Sequence, residues 1–119
     1  MNIKAVFSDI DGTLLHDDLT IGDKTLKAIK SLNAKNIPFV IVSARSPKGI
    51  YPILKRYNIN TNIISFSGGA ILNNDRSVIF NEGFNKKQVK EIIDFINNEK
   101  FDLAWNLYSI NKWVVHDKN

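Results

Sequence analysis

Two acids one residue apart, Asp9 and Asp11, close an apolar run (Ile3, Ala5, Val6, Phe7), and Gly12 and Thr13 follow at once. Strand-forming residues that end in a glycine turn read as a buried strand feeding a loop. In open α/β sheets that end of a strand is where ligands bind. Side chains two apart on an extended strand share a face. Asp9 and Asp11 are therefore expected to converge where the strand meets its turn. Two facing carboxylates repel unless a cation or a shared proton compensates, and a hard divalent ion such as Mg²⁺ is the natural compensator. One carboxylate can then attack an electrophile and become an aspartyl-phosphate, while the other moves protons for the leaving group and for water. Alone, Asp-x-Asp-Gly is more often the pattern of a turn or a weak Ca²⁺ loop. The upstream strand and the Thr13-Leu14-Leu15 that follows favour the strand-end site.

The elements that position this pair follow in order. Thr20 with Asp23 predicts a capping box, and Leu26, Ile29 and Leu32 recur at helical spacing. Asn36 and Pro38 predict the stop. Phe39-Val40-Ile41-Val42 reads as a second strand, apolar throughout as strands covered on both faces tend to be. This βαβ unit predicts a right-handed crossover and a parallel neighbour for the first strand. The second strand ends in Ser43-Ala44-Arg45-Ser46, where a hydroxyl and a guanidinium meet the acids of its neighbour. Ser43 can donate to a phosphoryl oxygen and Arg45 can pair with an anionic substrate group. A strand-end Ser is also a common helix cap, for which Ser46 before Pro47 qualifies, and a surface ion pair is the ordinary use of Arg45.

Ile50, Ile53, Leu54 and Tyr57 share a helical face, with Pro52 predicting a start near Ile50 or Tyr51. A third strand, residues 62–66, leads to Ser67-Gly68-Gly69, either an anion-binding backbone or a tight turn. Turn-formers at 73–76 between two short apolar runs predict a hairpin. Beyond Gly83 the order changes to a helix, with Asn85 and Gln88 as its capping box, then two adjacent strands over 103–108 and 112–116. The expected organisation is α/β: a parallel-sheet domain over residues 1–82, then a second, α+β domain beginning at 83–119. Three strands and two helices leave the first sheet short, and its open edges predict self-association, domain exchange or marginal stability.

At Asp9-Ile10-Asp11-Gly12-Thr13 the chain resembles the haloacid dehalogenase-like (HAD) superfamily, whose first motif is Asp-x-Asp-Gly-Thr. Ser43-Ala44-Arg45 is similar to the Thr-Gly-Arg of its Cof-like branch, and Ser67-Gly68-Gly69 aligns with that branch's Asn-Gly-Ala without the Asn side chain. The resemblance implies a partial Rossmann-like HAD core followed by the start of a cap domain. It implies an Mg²⁺-dependent phosphohydrolase acting on small phosphate monoesters, sugar phosphates or similar, through an aspartyl-phosphate. Asp9 is then the nucleophile and Asp11 the general acid/base, with the Asp9 carboxylate and the Asp11 carbonyl on the metal. Ser43, Arg45 and the backbone near Gly12 and Gly68 are the phosphate ligands. The family's catalytic Lys and acidic cluster come after the cap, so the resemblance implies that these 119 residues are about the first half of a family member. The alternative is a non-catalytic phosphate-binding or interaction module that kept the first two motifs.

Composition narrows the rest. There are no cysteines, which excludes disulfide frameworks and Cys-based zinc sites. No apolar run approaches the ~18–20 residues that span a membrane, and the N-terminus lacks a signal-peptide core, so a cytoplasmic protein with no membrane partner is expected. The net charge of +4 comes from scattered lysines with no aromatic interleaving, which predicts a solvated surface and no nucleic-acid partner. His16 and His116 read as surface residues, and Trp105 and Trp113 as packing of the second domain.

Overall fold

The computed structural model describes residues 2–116, so the expected chain end at 117–119 lies outside the described residues. The chain divides into two compact units, Met1–Asn81 and Glu82–Asn119.

The first unit runs β1 (Val6–Asp9), α1 (Asp23–Ala34), β2 (Phe39–Val42), α2 (Pro47–Arg56), β3 (Asn62–Ser65), β4 (Ala70–Leu72) and β5 (Val78–Asn81). One sheet holds all five strands in the order β1-β2-β3-β4-β5. β1, β2 and β3 are parallel, β4 pairs antiparallel with β3, and β5 pairs antiparallel with β4. The hairpin read from residues 73–76 is present, but it extends the parallel sheet by pairing Ile63 with Leu72 and Ser65 with Ala70. The core sheet is therefore longer than the three strands expected.

Burial alternates along β2, β3 and β4, whereas β5 is exposed throughout. Ile41, Ile63 and Leu72 are essentially inaccessible, together with Phe39, Ser65 and Ala70. Their neighbours Val40, Val42, Ile64 and Ile71 are only half-buried, and Phe7, on the same face, is 61% exposed. The expectation that β2 is covered on both faces is thus corrected. By the right-handed crossover rule, two crossovers that step in the same direction across the sheet put their helices on one face, which agrees with the one-sided burial of β2, β3 and β4.

Local signals set the helix ends. α1 and α2 each finish on an Asn with positive φ, Asn36 (54°) and Asn58 (52°). In both, the next amide reaches back to a carbonyl five residues earlier, Ile37 to Leu32 and Ile59 to Leu54, each at 2.9 Å. These bonds satisfy carbonyls that the helix end leaves open. The expected start of α1 differs: Gly22 is the N-cap, without a side-chain bond, because Thr20 is spent on Asp18, whose carboxylate accepts from its amide and its hydroxyl. α2 starts at Pro47, earlier than expected, because Ser46 accepts from the Gly49 amide and Pro47 suits the first helical position. Pro52 is carried inside this helix.

In the second unit, α3 (Lys86–Asn98) carries the expected capping box, with Asn85 and Gln88 exchanging side chain-to-backbone bonds of 2.9 Å. β6 (Trp105–Tyr108) and β7 (Trp113–His116) pair antiparallel. Trp105 stacks on His116 and Trp113 on Tyr108. None of this unit's described residues is buried. Among the described residues, no helix is long and apolar enough to cross a membrane.

Candidate active site

β1 delivers Asp9 to the carboxyl end of the sheet, and the chain then makes a wide turn over Ile10–Leu14, closed by the Leu15 amide on the Ile10 carbonyl at 3.0 Å. Ile10, Leu14 and Leu15 are buried, whereas Asp11, Gly12 and Thr13 are exposed. Burial of the three apolar residues pins the turn and leaves its polar crest outward. Gly12 has φ 73°, and a Cβ there would meet nothing within 4 Å. Backbone conformation, not crowding, calls for glycine at this point.

The parallel register pairs Asp9 with Val42, so Ser43 emerges from β2 beside the end of β1. Ser43 is buried, its amide bonds to the Ile64 carbonyl at 2.9 Å, and its hydroxyl accepts from the Arg45 amide at 3.1 Å. With Oγ already accepting one bond, its own proton is free to point elsewhere. The Asp9 carboxylate accepts from the Ile10 amide at 2.8 Å through Oδ1, leaving the other oxygen without that partner.

Arg45 reaches across to Asp11. Its Nε donates to Oδ2 at 2.8 Å and its Nη2 to Oδ1 at 2.7 Å, a two-point clamp between the crests of the β1 and β2 loops. The guanidinium holds the Asp11 carboxyl below the usual carboxylate range, against a smaller opposing effect of burial, and Asp11 holds Arg45 up in turn. Arg45 was expected to meet an anionic substrate group; here its partner is the second acid of the pair. The cation beside Asp11 is thus part of the chain.

Gly68 lies in the turn after β3, Phe66–Gly68, at φ 101°. Sequence reasoning put Phe66 in the third strand and Ser67 at the head of the turn; β3 in fact ends at Ser65, and both residues are left-handed, at φ 52° and 55°. Their amides bond at 3.1 Å to the carbonyls of Arg45 and Ser43 respectively. Nothing in the local pattern marks two non-glycine residues for a left-handed conformation.

Among the described residues, no group of three or more His, Cys, Asp or Glu side chains gathers to hold a metal. The donor set at Asp9 and Asp11 still suits Mg²⁺, which prefers hard oxygens, keeps several waters and is commonly held by one or two carboxylates plus a substrate phosphate. His16 and His116 are exposed, as expected.

Comparison with known proteins follows the same residues. The model of the haloacid dehalogenase-like hydrolase family matches residues 6–119. A Haemophilus influenzae protein named Putative phosphatase is 38% identical across the whole of this chain, over 48% of its own length. A solved Thermotoga maritima structure superposes with a TM-score of 0.85 at 26% identity, over 99% of this chain and 43% of its own. A structure described as a HAD subclass IIB sugar phosphatase superposes at 0.74 with 24% identity, over 94% of this chain and 43% of its own. At that identity the likeness is one of fold. The chain spans about half the length of the curated relatives it matches.

Proposed function

From the chain's membership of the haloacid dehalogenase-like hydrolases, we propose that the protein it represents is a phosphatase of small phosphate monoesters. The observation that carries this reading is the carboxylate pair at the end of β1 set beside the buried Ser43 at the end of β2. The sugar phosphatase among its structural neighbours favours a phosphorylated sugar or similar metabolite as substrate.

In the proposed mechanism, the open oxygen of Asp9 attacks phosphorus. The bond to the leaving oxygen breaks, the alcohol departs with a proton from Asp11, and an aspartyl-phosphate remains. Water then attacks the same phosphorus while Asp11 takes its proton, the bond from phosphorus to the Asp9 oxygen breaks, and phosphate leaves, which restores both carboxyls. The Ser43 hydroxyl and the amides near Gly12 and Gly68 donate to the phosphoryl oxygens, where charge develops. In this proposal Arg45 exchanges Asp11 for an anionic oxygen of the substrate, and Asp11, released from the guanidinium, takes up from solvent the proton it gives the leaving oxygen. Mg²⁺, with the Asp9 carboxylate and the Asp11 carbonyl as its ligands in this proposal, would neutralise charge on the phosphoryl group.

The second unit we read as the beginning of a cap domain, with the core ending near residue 82. Self-association through sheet edges belongs to the same proposal: β1 and β5 are the edge strands, and Val78, Ile79 and Phe80 are all exposed on β5.

The test is Mg²⁺-dependent release of phosphate from an aryl phosphate, measured beside Asp9→Asn. Turnover that disappears in the variant supports the assignment of Asp9. Turnover that persists in it removes Asp9 as nucleophile.

A further inference from the structure

The loop after β2 carries Ser43 and Arg45, and it extends past the last β2–β3 register pair, Val42 with Ile64. Beyond that point a loop of four residues, Ser43 to Ser46, has to hold a hydroxyl and a guanidinium in place before α2 begins. Three backbone bonds to the next strand and its turn do the holding. The Ser43 amide donates to the Ile64 carbonyl, and the Phe66 and Ser67 amides donate back to the carbonyls of Arg45 and Ser43. The Phe66 φ of 52° turns the next amide, that of Ser67, onto the Ser43 carbonyl, and Ser67 carries the turn on at φ 55°, a region that L-residues other than Asn and Asp seldom enter.

Such a conformation persists only where its surroundings over-determine it. They do so here. The Gly69 amide closes the turn on the Phe66 carbonyl at 3.1 Å, and the fully buried Ser65 hydroxyl ties its base to the Ala70 carbonyl at 3.3 Å. Gly68 then leaves the turn at φ 101°.

We propose that Phe66 and Ser67 are positioning residues: their left-handed turn is the clamp that sets the β2 loop, and through it the Ser43 hydroxyl and the Arg45 guanidinium on Asp11. Neither residue touches the reacting atoms in this account. Each acts through a backbone amide, so the requirement at position 67 falls on the conformation and not on the hydroxyl. Glycine keeps the amide and enters the conformation freely, whereas a β-branched residue strains it. The functional consequence rests on the proposed roles of Ser43 and Arg45, but the geometric claim does not.

The experiment reads the clamp without substrate. Solvent exchange of the Arg45 Nε–H, which donates to Asp11, is followed by NMR in the wild type, Ser67→Gly, Ser67→Val and Gly68→Ala. Backbone amide protection over Val40–Val42 serves as the measure of β2. Wild type and Ser67→Gly are expected to protect the Arg45 Nε–H alike. Ser67→Val and Gly68→Ala are expected to speed its exchange by roughly tenfold or more with β2 protection unchanged, as a local opening would. Should Ser67→Val fail to fold, Gly68→Ala, which meets open space, carries the test. Unchanged Arg45 exchange in the folded strained variants overturns the proposal. So does a loss shared equally by β2, which marks a general structural role, and so does an unprotected Arg45 Nε–H in the wild type. Failure of phosphate hydrolysis leaves these readouts as they are, so the two proposals stand or fall separately.

Discussion

Arg45 and Asp11, 34 residues apart in the chain, are joined by two charge-assisted hydrogen bonds of 2.7 and 2.8 Å. The pair ties the loop of the first motif to the loop of the second. It also places a cation against the carboxyl proposed to shuttle protons, so the clamp favours the ionised form of Asp11 and holds it in one orientation. A two-point guanidinium–carboxylate contact fixes direction as well as distance, which a single ammonium does not.

Replacing Arg45 by Ala is therefore expected to act on the site more than on the fold. Both side chains are substantially exposed, 37% for Arg45 and 52% for Asp11. Exposed pairs contribute about 0–1 kcal/mol, so a urea melt should move by no more than that. Substrate affinity should weaken clearly, and Arg45→Lys should recover it only in part. A loss of several kcal/mol in stability would show the clamp to be structural.

The pH dependence has a definite sign. The folded-state pKa of Asp11 lies below its ordinary value of 3.8, chiefly through the hydrogen bonds from Arg45. A depressed carboxylate contributes stability that is present above the unfolded-state value and is lost as pH falls through the folded one. The stabilising effect of the clamp should thus fade below about the ordinary carboxylate value. Acid titrations of wild type and Arg45→Ala should converge there and differ above it. Asp18 and Asp75 are lowered too, by bonds from Thr20 and Ser77 that do not involve Arg45, so their contribution should cancel in the comparison.

Gly12→Ala isolates backbone strain. Its φ of 73° is left-handed, and an added Cβ meets open space. The expected cost is about 1–2 kcal/mol, with no packing component, read from the denaturation midpoint. Gly12→Asn should cost less, since Asn tolerates this region better. Equal effects of the two would show that something other than φ governs the position.

Self-association is expected to rise with concentration in sedimentation velocity. The half-buried face of Val40, Val42, Ile64 and Ile71 and the exposed β5 offer apolar surface, and β1 and β5 offer unpaired strand edges. The β4–β5 register shifts between Ile71 and Leu72, leaving Ile79 as an extra residue of β5, an irregularity that opposes edge pairing. A compact monomer throughout the micromolar range would remove this proposal.

What the sequence determined by itself is local. The acid pair at a strand end, the Asn85–Gln88 capping box, the Asn36 stop and the hairpin at 73–76 all depend on residues within a few positions of one another, where periodicity and capping chemistry act. Only the tertiary structure decided the rest. Thr20 looks like a cap until Asp18 takes its donors. Arg45 looks free for a substrate until the β1–β2 register sets Asp11 within its reach. Both faces of β2 look destined for burial until two crossovers of the same hand and direction put their helices together. Phe66 and Ser67 carry no local sign of their left-handed turn, because the bonds that hold it come from carbonyls more than 20 residues earlier, brought alongside by strand pairing. Contacts of that kind follow from register and topology, which a short stretch of sequence does not encode.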